Sequence, residues 1–198
     1  VTAVVYGADA TSSNYSRLPK GLLYAGYTTG SGGVPWTAAQ WAAHPDALRI
    51  DQSPVNTVLD EEADVLDVEN GAATFADCAP WAKAALANLR SAVRPGQRSP
   101  AIYMSQSNIT NVVNALIAGG VTSGIGLWVA SWGSVTGSQA ATELAKSAGP
   151  FPVIGYQYTN AGLYDLDVWL TSWTSNVSEK GVPPVNAEAP PGQWVDAA

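Results

Sequence analysis

Strand-like and helix-like segments alternate along almost the whole chain, and that alternation limits the fold more than any other feature. Short apolar runs predict strands at Val4–Asp9, Gly21–Thr28, Ala47–Asp51, Asp64–Glu69, Ser99–Ser105, Gly124–Trp132 and Pro152–Thr159. Between them, Thr37–His44, Thr74–Val93, Asn108–Ala118 and Ser138–Ala148 read as helices. Trp36-Thr37 offers an N-cap, while Pro45, Pro95-Gly96 and Gly119-Gly120 stand where helices should stop. Leu163–Trp173 follows the last strand, and Ala10–Tyr15 reads as a polar turn. Repeated strand–helix units imply an α/β fold with a parallel sheet. Gly124–Trp132 carries no charge, so burial on both faces is expected. Composition does not choose between an open doubly wound sheet and a closed barrel.

The 198 residues are enough for one domain with a sizeable core. Hydrophobic residues make up 46% and charged residues 13%, which excludes disorder over the whole chain. No apolar run approaches the ~18–20 residues of a membrane-spanning helix. Sixteen acids against nine bases give a net charge of −7, which argues against nucleic acid as a partner. The single cysteine, Cys78, rules out an intramolecular disulfide framework and a multi-cysteine metal site. No secretory leader is legible from Val1 onward, and a removed leader would leave none, so the compartment stays open. From Val182 the chain turns to Pro183, Pro184, Pro190 and Pro191 among small and acidic residues, the composition of a linker or tail.

Acids stand where predicted strands run out into loops. Asp9 ends the first strand, Asp67 and Glu69 end the strand 64–69, and Asp165 lies in Tyr164-Asp165-Leu166-Asp167. Residues i and i+2 of a strand share a face, so Asp67 and Glu69 project together while Leu66 and Val68 turn toward helices. In a parallel barrel the C-terminal strand ends carry the reactive groups, and in an open sheet they border the crevice. Carboxyl groups gathered in one cleft have the equipment for glycoside hydrolysis, one as proton donor and another ionised. Each could equally cap a turn or bind water. Eight Trp and eight Tyr against two Phe favour surfaces that are apolar on one side and wet on the other, as carbohydrate clefts are. Trp128 and Trp132 share a strand face and could join Tyr156 as a sugar platform, or pack the interior or the helix layer instead.

Val65-Leu66-Asp67-Val68-Glu69 resembles the Asp-x-Glu motif of glycoside hydrolase family 25, the muramidase-type lysozymes. Tyr6-Gly7-Ala8-Asp9 resembles that family's opening strand, Ile102-Tyr103 its middle strand, and Leu127-Trp128-Val129-Ala130 its Leu-Trp-x-Ala segment. Ile154-Gly155-Tyr156-Gln157-Tyr158-Thr159 and then Tyr164-Asp165-Leu166-Asp167 are similar to its closing strands, and the order along the chain matches. The resemblance implies an irregular TIM-like (β/α)5(β)3 barrel over residues 1–173, with 174–198 as the Pro-rich linker or tail. It implies cleavage of the N-acetylmuramic acid to N-acetylglucosamine β-1,4 bond of peptidoglycan, with Glu69 as acid and Asp9, Asp67 and Asp165 as supporting carboxylates. Candidate substrate-binding residues are Tyr27, Tyr103, Trp128, Trp132, Tyr156 and Gln157. The implied partner is peptidoglycan or another cell-wall glycan, at an extracellular, wall-associated or virion-associated location, with no metal or cofactor. A further domain or assembly could lie beyond the Pro-rich end. Ala10-Thr11-Ser12-Ser13-Asn14 and Leu23-Tyr24-Ala25-Gly26-Tyr27 depart from the family pattern. There, with Trp36-Thr37 and Trp41, the chain looks like a divergent branch of glycoside-hydrolase-like domains of actinobacteria and their phages.

The alternative from another class is a module that keeps the barrel and its acids for binding or structure, without turnover, as in a phage virion or cell envelope. A net charge of −7 would not help approach to an anionic wall. The single histidine, His44, has no Gly-x-Ser-x-Gly elbow to serve and reads as a helix-end residue. Asp51, Asp60, Glu61 and Glu62 read as a solvated acidic loop rather than a cation site. The glycine-rich stretches 30–33 and 119–126 read as turns, and Cys78 as an inert helix residue.

Overall fold

The computed structural model describes residues 3–30, 34–53, 60, 62–90, 97–131, 136–144, 146–160 and 162–175. The strands are β1 (Val4–Asp9), β2 (Leu23–Tyr27), β3 (Leu48–Asp51), β4 (Val65–Val68), β5 (Ala101–Ser105), β6 (Gly126–Ala130), β7 (Ser147–Ala148), β8 (Phe151–Asn160) and β9 (Asp165–Leu170). The helices are α1 (Ala38–Ala43), α2 (Phe75–Arg90), α3 (Ile109–Ala118), α4 (Gly137–Glu143) and α5 (Thr171–Thr174). β1 to β6 pair in parallel in chain order, and β6 continues in parallel to β8. β9 then lies antiparallel between β8 and β1 and closes the ring. The result is a closed barrel of eight mixed strands with helices around it, the irregular α/β barrel that the sequence implied.

Closure follows from side-chain size inside the ring. Trp128 and Trp169 meet edge to face at 5.0 Å between centroids, and Tyr103 meets Trp128 at 5.4 Å. These rings fit because Gly7 and Gly155 face them: a Cβ on Gly7 would lie 1.9 Å from the Trp169 ring, and one on Gly155 2.5 Å from it. On the outer faces, Leu66, Val68, Ile102, Met104, Leu127 and Val129 join one apolar cluster with Cys78, Ala82, Val112 and Leu116 of α2 and α3. That cluster accounts for the uncharged strand at 126–130, whose residues are all buried.

The N-terminal end of the barrel is held by a buried ion pair. The Asp64 carboxylate, just before β4, accepts the backbone N–H groups of Arg49 (3.0 Å) and Arg98 (2.9 Å) and lies 3.6 Å from the Arg98 guanidinium. Arg98 also donates to the carbonyls of Asp46 (2.8 Å) and Thr174 (3.3 Å), tying β4, the turn before β3 and α5 together.

Two local expectations are corrected. The helix expected over 138–148 ends at Glu143, and Ser147 and Ala148 pair instead with Pro152 and Phe151. Gly149, at φ +60°, turns the chain back in a conformation that glycine adopts without strain. The polar turn at 10–15 is a 3-10 helix over Ser12–Arg17. From residue 176 onward the Pro-rich stretch lies outside the described residues.

Candidate active site

Asp9 is the last residue of β1, Asp67 lies in β4, and Glu69 follows that strand directly. All three stand where parallel strands end. Asp165 reaches the same rim by a different route. It is the first residue of the antiparallel strand, and its register partner is Asp9. Directly paired residues of an antiparallel ladder share a face, so both carboxyl groups look into the barrel mouth. Parity puts Gly7, Asp9, Asp67, Tyr103, Gln157, Asp165 and Asp167 on interior faces.

A hydrogen-bond network orders this mouth. Asp9 accepts from the Tyr27 hydroxyl at 2.9 Å and from the Gln157 amide at 2.9 Å. Tyr103 donates its hydroxyl proton to the Gln157 carbonyl at 2.8 Å. Gln52 donates to Asp67 at 2.9 Å, while the other Asp67 oxygen is buried without a partner among the described residues. Asp9, Asp67 and Asp167 are buried, whereas Glu69 and Asp165 are half-buried and open to solvent. A cleft of about 190 Å³ runs along Asp9, Tyr27 and Asp165 and is bordered by Thr11, Asn14 and Tyr164. A wider recess of about 470 Å³ lies beside Ser105, Gln106, Ser107 and Ala130, at the same end of β5 and β6.

Loss of water raises every acid in the cluster above the ordinary carboxyl range. Asp67 is pushed up to about 8, first by burial and then by the charge of Glu69. Asp165 is pushed up to about 8 by burial, with Asp9 and Glu69 adding like-charge repulsion. Burial also raises Glu69, and Asp9 adds to the rise. Asp9 is raised by burial, against which Tyr27, Asp167 and Gln157 all act as hydrogen-bond partners of its charged form. Asp167 is pushed well up by burial and by Asp9. Acids this close cannot all ionise, so the site retains protons at neutral pH. Asp9, with the most donors around it, is the group best placed to hold the negative charge. Glu69 combines a proton affinity raised by burial with access from outside.

Of the candidate substrate-binding residues, Tyr27, Tyr103 and Gln157 belong to this network. Two others do not meet the expectation of a sugar platform. Trp128 is 0% exposed and has no free face, because Tyr103 and Trp169 cover it. Tyr156 lies on the face of β8 opposite Gln157, packed in the outer apolar cluster. Trp132 lies outside the described residues. Sequence reading passed over two members of the cluster, Asp167 and Gln52. The first was open to discovery, because Asp167 stands two residues from Asp165 in one strand, the spacing that joined Asp67 to Glu69. Nothing local marks Gln52. His44 follows α1 and packs against Tyr24 at 4.4 Å on the outer face of β2, where burial lowers its affinity for a proton. Cys78 is buried in the helix layer and pushed up to about 12, far from the thiolate form.

No family model matches the sequence, and no curated protein matches it. Among solved structures, the chain is similar to the spore cortex lytic enzyme SleM of Clostridium perfringens. The identity is 15% and the TM-score 0.52, over 87% of this chain and 69% of that one. At that identity the likeness shows a common fold: this chain shares the mixed α/β barrel of a spore cortex lytic enzyme.

Proposed function

We propose that the chain is a peptidoglycan hydrolase of the muramidase type, cleaving the N-acetylmuramic acid to N-acetylglucosamine β-1,4 bond. The observation that carries this reading is the gathering of Asp9, Asp67, Glu69 and Asp165 at one barrel mouth with their proton affinities raised by burial and by one another. The fold shared with a spore cortex lytic enzyme supports the choice of a wall glycan as substrate. Glu69, half-buried and with its proton affinity raised by burial, gives its proton to the glycosidic oxygen as the bond breaks. Positive charge develops at the anomeric carbon as that bond breaks, and water then adds there and gives up a proton, which restores the acid form of Glu69. Asp9, held in place by Tyr27 and Gln157, faces that charge as an anion. The charge of Asp9 helps keep the proton on Glu69 until it is needed, with Asp67 and Asp165 as supporting carboxyl groups of the mouth. The protein would act outside the cell, at the wall.

The deciding experiment is release of reducing ends from purified peptidoglycan, comparing the native chain with Glu69→Gln. Hydrolysis by the native chain, abolished in the variant, supports the reading. Native activity no higher than that of the variant would leave the barrel as a non-catalytic wall-binding or structural module.

A further inference from the structure

Glu69 is followed by the one Asn-Gly pair in the sequence, Asn70-Gly71. The pair lies between β4 and α2, outside any strand or helix, and both residues are exposed. They are the two central residues of a turn that the Ala72 N–H closes onto the Glu69 carbonyl at 3.1 Å. Gly71 takes φ +91°, a conformation that glycine reaches without strain, and nothing lies within 4 Å of where a Cβ would stand. Its N–H has no hydrogen-bond partner among the described residues. An exposed asparagine amide therefore stands next to a backbone nitrogen that is neither bonded nor shielded by a side chain. Those are the conditions for the two to close a ring.

We propose that Asn70 is a site of spontaneous deamidation, whose isoaspartate and aspartate products set a new carboxylate and a lengthened backbone beside Glu69. The Gly71 nitrogen bonds to the side-chain carbonyl carbon of Asn70 and loses its proton. The bond from that carbon to Nδ2 breaks, and ammonia leaves with the proton. Water then opens the five-membered ring. Attack at the side-chain carbonyl gives aspartate. Attack at the backbone carbonyl gives isoaspartate, in which the main chain runs through Cβ and is one carbon longer. Water is the only co-reactant, and no atom changes oxidation state.

The place of the turn gives this reaction its consequence. Its backbone is tied to both acids of the Asp67/Glu69 pair, by the Ala72 N–H on the Glu69 carbonyl and the Ala73 N–H on the Asp67 carbonyl at 3.2 Å. An extra main-chain carbon at residue 70 falls inside both spans, so either those bonds break or Glu69 moves. Each product also adds a negative charge one residue from Glu69, on which Asp9 already acts by like-charge repulsion. The effect on turnover rests on the muramidase reading; the chemistry at Asn70 does not.

Ageing of the native chain tests the proposal. The chain is held in mildly alkaline buffer made with heavy-oxygen water, and its peptides are mapped by mass spectrometry. Asn114 is the internal reference: it is exposed too, but it lies in α3, where the Ala115 N–H is bonded within the helix. The expected result is loss of the Asn70 peptide to two separable products of equal mass, each carrying heavy oxygen, while the Asn114 peptide persists. Wall hydrolysis by the native chain should fall in step with that conversion, and Asn70→Ser, which has no side-chain amide, should hold its starting activity over the same period. An Asn70 peptide that survives as long as the Asn114 peptide overturns the proposal. Conversion that leaves hydrolysis undiminished overturns the link to Glu69. If the fresh native chain hydrolyses no wall at all, the muramidase reading is removed, and the peptide map alone decides the modification.

Discussion

The two ends of this barrel both bury carboxyl groups, and they treat them in opposite ways. At the N-terminal end, Asp64 is surrounded by donors: two backbone N–H groups and the guanidinium of Arg98, which itself holds two further carbonyls. A buried carboxylate supplied in this way serves structure. At the C-terminal mouth, Asp9, Asp67, Glu69, Asp165 and Asp167 are gathered without a cation among their described partners. One oxygen of Asp67 is buried without a hydrogen-bond partner among the described residues, and Asp167 meets Asp9 acid against acid. These acids compete for a few hydroxyl and amide donors, and the competition keeps protons in the site. Asp51 makes the same point from the side. It points away from the mouth and binds the Thr29 hydroxyl, the Ser53 hydroxyl (2.6 Å) and backbone N–H (2.9 Å), and the Asp60 N–H (2.7 Å), as a structural acid does. The lesson is that burial of an acid says little by itself, and the character of its partners says what it is for.

The contrast breaks first at Glu69. Glu69→Gln keeps the shape and removes the proton donor, so wall hydrolysis should fall by ~10²–10⁴-fold while urea unfolding is unchanged. At the opposite end the reverse is expected. Arg98→Met leaves the buried Asp64 carboxylate without the Arg98 guanidinium, which should lower the free energy of unfolding by about 3–5 kcal/mol and leave activity per folded molecule unaltered. Equal losses of rate and stability in both variants would mean that the two ends are not distinct.

A smaller effect tests the sign of the mouth's electrostatics. Asp67 has a folded-state affinity raised from 3.8 to about 8, so its neutral form is favoured in the fold. Its stabilising contribution is full below pH 3.8 and is lost as pH rises toward and through about 8. The native chain should therefore unfold more easily at pH 8 than at pH 5, and Asp67→Asn should flatten that slope in denaturation curves taken across the window. A slope unchanged by the substitution would assign the pH dependence to the other acids. The smallest change sharpens the N-terminal end: adding Asp64→Asn to Arg98→Met removes the buried charge but keeps an acceptor for only one of the two N–H groups, since each bonds its own carboxylate oxygen. Roughly 1–2 kcal/mol of the lost stability should return in the double variant.

Much of this was open to a reader of the sequence, and the rest had a physical reason to be hidden. Strand positions, the turns at glycine and proline, and the common face of Asp67 and Glu69 depend on local chain geometry, so the alternation of residue types was sufficient for them. The same parity would have joined Asp167 to Asp165. What the sequence could not contain is who stands next to whom. Asp165 meets Asp9 because the last strand runs antiparallel and closes the ring in one register. Trp128 is a core residue rather than a sugar platform because Gly7 and Gly155, distant in sequence, leave room for Trp169 beside it. Gln157 became a bridge between Tyr103 and Asp9 only when three strands were brought around one interior. Secondary structure is set by neighbours in the chain, whereas burial, hydrogen-bond direction and proton affinity are set by neighbours in space, and those exist only once the barrel has closed.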